Sequence, residues 1–414
     1  MRVLHVNTMY KQGGAARAAH RIHSAQRKIG IDSHMLVLHC SEPDPCIHVA
    51  PTRGGRIGQR LRQTLSDRIT SRQITPTNTG MHSLNAFDSG LADWINRSDF
   101  DLVNLHWLGN ELISIEEIAR IQKPIFWTMH DMWPFCGTEH IDDLDHPGRY
   151  ITGYGPGTRP THYNGPDLDA WMWKRKKRAW SKKKLHLISP SHWLAQCSSA
   201  SDLLQHQSCS VIPNCVDTDI FKPIDRRLAR HILNLNPDKN YVLFGAVSST
   251  GDKNKGFHLL QSAIQKLANY DNIKHNTELL IFGAHPPENP PDLSLPTNYL
   301  GNFSDEFSLA LLYSAADVFA APSLQENLPN TIIESICCGT ACVAFSIGGV
   351  PELIKQGYTG TLIEPFEVEF FSSALYQHLA APIDRNIIRQ TALKYYHLTA
   401  VAQSYLLEYS KIIF

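Results

Sequence analysis

The sequence predicts an α/β fold with two parallel-sheet domains. Its 414 residues are enough for two domains of ordinary size. Short apolar runs alternate with segments of helical periodicity, which is typical of βαβ units rather than of a β-sandwich. The segment from Pro213 to Lys239 is rich in Pro, Asn and Asp and separates two such series. We therefore expect a domain junction there and a ligand cleft between the domains.

The apolar runs place the strands in order along the chain. The first domain, residues 1–215, should contain the strands Val3–Asn7, Met35–Leu38, Leu102–Leu105, Pro124–Met129 and Leu185–Ser189. Between the first two, apolar residues repeat at helical spacing after Gly13 and Gly14 and stop at Gly30. The second domain, residues 216–388, should contain the strands Tyr241–Ala246, Glu278–Gly283, Asp317–Pro322, Ala341–Phe345 and Gly360–Ile363. A final helix is expected from Thr391 to Ile412.

Composition excludes several classes of protein. Lys+Arg 39 against Asp+Glu 39 gives no net charge, which argues against a dedicated nucleic-acid binder. A hydrophobic fraction of 43% argues against disorder. We find neither an apolar run long enough to span a bilayer nor a signal peptide, and the 9 Cys residues contain no CxxC pair. We expect a cytoplasmic protein with reduced thiols.

The stretch from Ala316 to Glu352 carries the most chemical information. A buried strand ends in a loop at Glu326, and Pro329 should occupy the first position of the next helix. This places the backbone amides of Asn327 and Leu328 at a helix N-terminus, where anions bind. The carboxyl edge of a parallel sheet is also where ligands bind in open α/β folds. Glu326 and Glu334 would repel a bare phosphate, so we expect them to accept hydrogen bonds from sugar hydroxyls beside it.

Glu326 and Glu334 have seven residues between them. This spacing resembles the E-x(7)-E motif of the retaining GT-B glycosyltransferases of family four. Further segments resemble the markers of that family in the same order, namely Gly13-Gly14, Thr128-Met129-His130-Asp131, Ser189-Pro190-Ser191, Ile212-Pro213-Asn214, Lys255-Gly256-Phe257 and Gly348-Gly349-Val350-Pro351-Glu352. The resemblance implies two Rossmann-like domains that face across a cleft, with residues 389–414 packing back on the first domain.

The resemblance also implies a role for each matched residue in binding a nucleotide-sugar donor. Glu334 would bind the ribose hydroxyls, and Glu326 a hydroxyl of the transferred sugar. Lys255 and backbone amides would neutralise the departing diphosphate, which makes a metal or other cofactor unnecessary. His130 would contact the sugar near the anomeric carbon. The remaining assigned donor and acceptor residues are Gly13, Gly14, Asn302, Phe303, Asn327 and Leu328 for the donor, and Asn7, Tyr10 and His106 for the acceptor.

Two features depart from the family pattern. The glycine-arginine pair expected before Lys255 is replaced by Gly245-Ala246-Val247-Ser248-Ser249, so one phosphate-binding cation is missing, and Lys253 is a candidate substitute. The segment from His130 to Pro134 resembles a subgroup of bacterial surface-polysaccharide transferases that carries several downstream cysteines. Only Cys136 is present in this loop, so we expect neither a metal nor a disulfide there.

Two basic segments interrupt the balanced composition. One runs from Lys174 to Lys184 and is flanked by Trp171, Trp173 and Trp180. The other runs from Arg53 to Arg72 and carries apolar residues at a spacing of four. Basic amphipathic helices are typical of membrane surfaces. In the alternative interpretation, the Trp side chains face the core and the lysines are solvated.

These observations predict a retaining, metal-independent hexosyltransferase. It would move a hexose from a UDP- or GDP-sugar to a glycan of a bacterial surface polysaccharide. The acceptor would be lipid-linked, and the protein would reach it by binding peripherally to the inner face of the cytoplasmic membrane. Two alternatives stay open, a sugar-nucleotide epimerase with the same fold and a non-catalytic scaffold that binds nucleotide sugars.

Overall fold

The fold was analysed in a computed structural model of the chain. It describes residues 1–40, 42, 44–73, 80–143, 146–161, 163, 165–245, 250–303 and 305–413. The chain divides into two compact units. The first contains Met1–Pro213 and Val401–Phe414, and the second contains Asn214–Ala400.

The first unit is built on a parallel sheet of seven strands within the described residues. Its strands are β1 (Arg2–Val6), β2 (Asp32–Val37), β3 (Ile47–Val49), β4 (Leu102–Leu105), β5 (Ile125–Thr128), β6 (His186–Ser189) and β7 (Ser208–Val211). Their order across the sheet is β3-β2-β1-β4-β5-β6-β7. The order reverses direction after β1, and ligands bind at such switch points in open α/β sheets.

Helices cover the sheet of the first unit. They are α1 (Gly14–Lys28), α2 (Gly55–Thr70), α3 (Leu91–Arg97), α4 (Ile115–Arg120), α5 (Arg149–Thr152), α6 (Leu168–Trp180) and α7 (His192–Ala200). The strands carry continuous buried apolar runs, as expected for a sheet that is covered on both faces. Helix α1 confirms the predicted helix after Gly14, and Gly30 ends it with a φ of 85°.

The second unit repeats this plan with a six-stranded parallel sheet. Its strands are β8 (Asn240–Gly245), β9 (Thr277–Phe282), β10 (Thr297–Tyr299), β11 (Val318–Ala321), β12 (Ala341–Phe345) and β13 (Gly360–Ile363), in the order β10-β9-β8-β11-β12-β13. Its helices are α8 (Arg226–Ile232), α9 (Phe257–Leu267), α10 (Asp271–Lys274), α11 (Glu306–Ala315), α12 (Asn330–Cys337), α13 (Val350–Leu353), α14 (Val368–Ala380) and α15 (Arg385–Tyr396). Both units are doubly wound α/β folds, which confirms the predicted fold class.

The C-terminal region corrects the prediction of a single final helix. Helix α15 ends at Tyr396, and α16 (Leu398–Ile413) begins after His397. His397 has extended backbone and forms a parallel bridge with Val216, so the helix is interrupted there. From Val401 onward α16 belongs to the first unit, where the Tyr409 ring lies 4.7 Å from the ring of Phe126. The helix therefore packs on the first unit from Val401 onward, whereas residues 389–400, which the resemblance also assigned there, belong to the second unit.

The predicted strands are present with their ends shifted by a few residues, but three further strands were not predicted. These are β3, β7 and β10, which are short and lie at sheet edges. A second correction concerns Pro329, which is the N-cap of α12 with an extended ψ of 119° rather than its first helical residue. The predicted end of one strand at Ala246 lies outside the described residues.

The basic segment from Lys174 to Lys184 is mostly exposed, but it is anchored in the core by a few side chains in and beside it. Trp173 and Trp180 are buried, and Trp171 is exposed. Lys176, predicted to be either lipid-facing or solvated, is buried as well. Its ammonium donates to the carbonyl oxygens of Cys136 and Gly137 at 3.0 and 2.7 Å, and burial lowers its pKa to about 7. Lys176 thus ties α6 to the loop after His130.

Candidate active site

Three loops meet at the carboxyl edge of the second sheet, and two glycines allow their close approach. A Cβ on Gly256 would lie 1.8 Å from the carbonyl oxygen of Pro322, and one on Gly348 would lie 1.9 Å from that of Glu326. Both glycines also have positive φ values, of 70° and 51°. The Leu324 amide donates to the Asn254 carbonyl at 2.8 Å, which joins the loops after β8 and β11.

Two of the predicted donor-binding side chains pair with each other at this edge. The Lys255 ammonium lies 2.5 Å from Glu326 Oε1, and the Ser323 hydroxyl donates to the same oxygen at 3.1 Å. Burial opposes the charged form of Lys255, but the Glu326 carboxylate outweighs this effect and raises the pKa of the ammonium. The pair is therefore a salt bridge, and an anion that binds Lys255 competes with Glu326 for the ammonium.

Helix α12 carries the second predicted carboxylate into the unit. Glu334 is buried, and Tyr313 on α11 donates its hydroxyl to Glu334 Oε2 at 2.9 Å. Asn327 and Leu328 lie directly before the N-cap of α12, where helix amides and the helix dipole favour an anion. Asn214 donates its side-chain amide to the Leu328 carbonyl at 3.2 Å. Tyr313 and Ser323 were not predicted: Tyr313 reaches Glu334 only through the packing of α11 against α12, and Ser323 lies three residues before Glu326 in a loop whose side-chain directions the sequence does not reveal.

The predicted donor residues Asn302 and Phe303 lie further along the same sheet edge, after β10. Gly301 follows β10 with a φ of 69°, and its carbonyl accepts the Gly283 amide at 2.8 Å. Asn302 follows it, and the Phe303 ring lies edge-on to Phe282 at 6.4 Å. The neighbouring segment 246–249, where the expected arginine is missing, lies outside the described residues. Lys253 lies in a single turn of 3-10 helix with Lys255.

In the first unit, the glycine loop forms an open N-terminus of α1. Gly13 is the N-cap with a φ of 94°, and a Cβ built on it would meet no atom within 4 Å. The first turn of the helix contains no acidic side chain. Because the helix dipole favours negative charge at this end, the loop can accept an anion close to the backbone.

His130 follows β5 at the edge of the first sheet and is half-buried. Its Nε2 lies 3.0 Å from Nδ1 of the buried His106. Burial lowers the pKa of His130 to about 4, although the adjacent Asp131 opposes this shift. His130 is therefore a neutral imidazole at neutral pH, and His106 contacts it rather than solvent.

The other residues assigned to the acceptor are also engaged within the first unit. Asn7 donates to the Met9 carbonyl at 2.6 Å and accepts from the Trp107 amide at 2.9 Å, so it connects the loops after β1 and β4. The Tyr10 hydroxyl donates to Glu42 at 3.3 Å. The roles of Asn7, Tyr10 and His106 toward an acceptor stay predictions.

Across the described part of the chain, no three His, Cys, Asp or Glu side chains are grouped so as to hold a metal ion. In the same residues, no helix is both long and apolar enough to cross a bilayer.

Two doubly wound units, each on a parallel sheet, are the architecture of the GT-B fold. Solved structures share this fold. Anabaena HepE, solved with UDP-glucose, is 13% identical with a TM-score of 0.63 and full coverage of both chains. WaaG, a glycosyltransferase involved in lipopolysaccharide biosynthesis, is 15% identical with a TM-score of 0.62 over 98% of both chains.

Sequence comparisons define the family. Residues 12–220 match the model of Glycosyltransferase Family 4, and residues 240–381 match that of Glycosyl transferases group 1. Because the first match covers half of the chain, this protein belongs to glycosyltransferase family 4. The D-inositol 3-phosphate glycosyltransferase of Mycolicibacterium paratuberculosis is 30% identical over 184 residues, which are 40% of this chain and 38% of that relative. The chain thus matches well under two thirds of that relative's length.

Proposed function

We propose that this protein transfers a hexose from a UDP- or GDP-sugar to a glycan acceptor with retention of anomeric configuration. The observation that carries the proposal is the half-buried Lys255–Glu326 pair at the sheet edge, 2.5 Å apart beside the N-terminus of α12. A cation and a helix N-terminus suit a diphosphate, and a neighbouring carboxylate suits a sugar hydroxyl. HepE, which shares the fold, is solved with UDP-glucose.

In this reaction the bond between the anomeric carbon and the diphosphate breaks, and the diphosphate takes the electron pair. An acceptor hydroxyl oxygen bonds to the anomeric carbon on the same face and gives its proton to the leaving phosphate. Lys255 and the amides of Asn327 and Leu328 stabilise the charge that develops on the diphosphate, which is why we propose that no metal is required. Glu326 orients the sugar through a hydroxyl, and Glu334 binds the ribose. In the first unit, the amides after Gly13 add positive potential, and His130 contacts the sugar.

Substitution of the two glutamates tests this assignment. Glu326→Ala should abolish transfer, and Glu334→Ala should mainly weaken donor binding. Glu288→Gln, at an exposed carboxylate of the same unit, is the control and should leave both unchanged. NMR of the product should show the anomeric configuration of the donor, and EDTA should not reduce the rate. Near-normal turnover by Glu326→Ala would mean that the site is assigned wrongly.

The same assay separates the alternatives. An epimerase would convert the nucleotide sugar to another nucleotide sugar without an acceptor, which chromatography detects. A scaffold would bind the nucleotide sugar and release no product with any acceptor. Because the matched relative is named for D-inositol 3-phosphate, the acceptor panel should include this compound beside glycan acceptors. Preference for it would replace the polysaccharide role with transfer to a phosphorylated polyol.

We further propose that the acceptor is lipid-linked and that α2 binds the anionic inner face of the cytoplasmic membrane. The polarity of the two faces of this helix is the reverse of that of an ordinary surface helix, which buries apolar residues and exposes polar ones. Its buried residues are the polar Gln59, Ser66 and Thr70, whereas Ile57 and Leu61 are 75% and 66% exposed. Its exposed arginines are Arg56, Arg60 and Arg68. Exposed apolar side chains interleaved with arginines fit a bilayer that carries anionic headgroups. WaaG, whose fold is similar, acts in lipopolysaccharide biosynthesis.

Sedimentation with vesicles tests the membrane proposal. The protein should bind vesicles that contain anionic phospholipid at low salt, and Leu61→Ser should weaken binding about tenfold or more, because burial of a leucine side chain contributes roughly 1.5–3 kcal/mol. Leu407→Ser on α16 is a matched control, since Leu407 is also 66% exposed in the same unit. Absence of binding at low salt, or equal effects of the two substitutions, would refute the role of α2.

A further inference from the structure

A continuous chain of hydrogen bonds runs behind His130 through the first unit. His5 Nε2 lies 2.9 Å from Gln26 Oε1, and His5 Nδ1 lies 2.8 Å from His106 Nε2. His106 Nδ1 lies 3.0 Å from His130 Nε2. His5, His106 and Gln26 are buried, and His130 is the end of the chain that reaches solvent.

The inner end of the chain is fixed by the sheet and by α16. Asn104 accepts the backbone amide of Thr128 at 3.3 Å, so its own amide group donates to the Tyr409 hydroxyl at 2.7 Å. Gln26 also donates to this hydroxyl, at 3.2 Å. In the structure, Gln26 directs its amide nitrogen toward Tyr409 and its amide oxygen toward His5.

This orientation determines where each proton lies. A neutral imidazole has one donor and one acceptor nitrogen. Since Gln26 Oε1 can only accept, His5 carries its proton on Nε2 and accepts from His106 Nε2. His106 then accepts from His130 Nε2. All the hydrogen bonds are thus donated in one direction, from His130 to His106, then to His5 and to Gln26. Nδ1 is left as the acceptor nitrogen of His130.

We propose that Gln26, His5 and His106 are positioning residues that hold His130 as the neutral tautomer with its proton on Nε2. The proposal rests on the proposed function for one point only, that His130 contacts the donor sugar. A neutral ring with an acceptor nitrogen suits the positive charge that develops on the sugar as the diphosphate leaves, whereas an imidazolium would repel this charge.

The surroundings of the chain also favour uncharged rings. The His23 ring on α1 lies 6.1 Å from His5, and burial strongly lowers its pKa too. Burial lowers the pKa of His5 to about 4, against a smaller opposing effect of Gln26. The carboxylate of the adjacent Asp131 acts in the opposite direction on His130, and it lies 2.6 Å from His140 Nδ1. Burial therefore disfavours a proton on any ring of the chain, and it outweighs the opposing effects of Gln26 on His5 and of Asp131 on His130.

The tautomer can be measured without a donor by nitrogen NMR of the histidine-labelled full chain. The His130 signals can be assigned by their loss in His130→Gln. We expect His130 to carry its proton on Nε2 at pH 7 and to stay neutral down to about pH 5. A proton on Nδ1 in the unsubstituted protein would overturn the proposal, and this measurement needs no variant that might misfold.

Gln26→Glu provides the decisive substitution. A carboxylate facing His5 favours a doubly protonated His5 ring, which must then donate from Nδ1. Donation reverses along the chain, and the proton of His130 should move to Nδ1. Gln122→Glu is the control, with the same charge change at an exposed position of the same unit. We expect at least a tenfold lower kcat for Gln26→Glu at pH 7, little change in KM, and an altered acid limb of the pH profile.

The outcomes separate this proposal from the proposed function. If folded Gln26→Glu keeps the His130 proton on Nε2, the chain does not control the tautomer and the proposal is overturned. If the tautomer moves as expected while the unsubstituted protein transfers no sugar from any donor, the hydrogen-bonded chain does control the tautomer of His130. In that case the proposal stands and the transferase assignment fails. A simple packing role for Gln26 would lower the melting temperature without moving the proton.

Discussion

The two sheet edges of this protein use opposite electrostatic solutions. At the edge of the second unit, Lys255 and Glu326 are charged and paired beside the N-terminus of α12. At the edge of the first unit, His130 ends a chain of rings whose pKa values are lowered by burial. A charged edge suits a diphosphate, and a neutral edge suits a sugar that becomes positive during transfer. The comparison therefore contrasts a charged pair in one unit with a chain of uncharged rings in the other.

The largest effect should come from removing one charge of the Lys255–Glu326 pair. In Glu326→Gln, the lysine loses its anionic partner and becomes available to phosphate. We expect UDP to bind several-fold more tightly, because no salt bridge has to be broken. Transfer should nevertheless fall by roughly 10²–10³-fold, because the sugar loses its carboxylate contact. Calorimetry of UDP binding and a transfer assay measure the two effects separately.

Glu288→Gln serves again as the control for Glu326→Gln. If UDP binding weakens in Glu326→Gln, the carboxylate contributes to nucleotide binding itself. The ion pair would then not limit the access of phosphate to Lys255. If transfer survives, the sugar contact lies elsewhere.

The sequence predicted this charged edge better than it predicted the neutral one. Glu326, Glu334 and Lys255 stand at fixed spacings near predictable strand ends, so a pattern along the chain locates them. Gln26, His5 and Tyr409 lie far apart in sequence and meet only because β1, α1 and α16 pack together. No local pattern encodes such a contact.

The fold shows the same division between local and non-local information. The central strands are continuous apolar runs and were predicted. The edge strands β3, β7 and β10 are only three or four residues long and partly exposed, so their sequences resemble loops. They become strands because a neighbouring strand offers unpaired backbone groups. The break at His397 was missed for the same reason, since it depends on pairing with Val216.

Acid should weaken the first unit more than the second. The pKa of His5 is about 4 in the folded protein, against about 6.5 when unfolded. Between these values the unfolded chain binds more protons, so the contribution of His5 is complete above pH 6.5 and is lost as the pH falls toward 4. A shift of this size corresponds to at most about 3 kcal/mol. His23 and His106 add in the same direction.

Hydrogen exchange at pH 7 and pH 5 can resolve the two units. Amides of β1 should lose more protection than amides of β8, although the buried His378 of the second unit also has a lowered pKa and will contribute there. His5→Gln should reduce the pH dependence in β1 and leave β8 unchanged. Equal losses in both sheets would contradict the difference between the two edges.

The smallest effect, and the finest test of the charged edge, should come from Tyr313→Phe. This change removes the hydroxyl that donates to Glu334 Oε2 at 2.9 Å and leaves the buried ring in place. A hydrogen bond to a charged group contributes about 1.5–3 kcal/mol, so nucleotide binding should weaken roughly tenfold. If Glu334 binds the ribose while Lys255 binds phosphate, UDP binding should weaken and inorganic diphosphate binding should stay constant. If the binding of UDP and of inorganic diphosphate weakened equally, Glu334 would act on the conformation of the whole loop. The two carboxylates would then share one role, instead of Glu326 binding the transferred sugar and Glu334 the ribose.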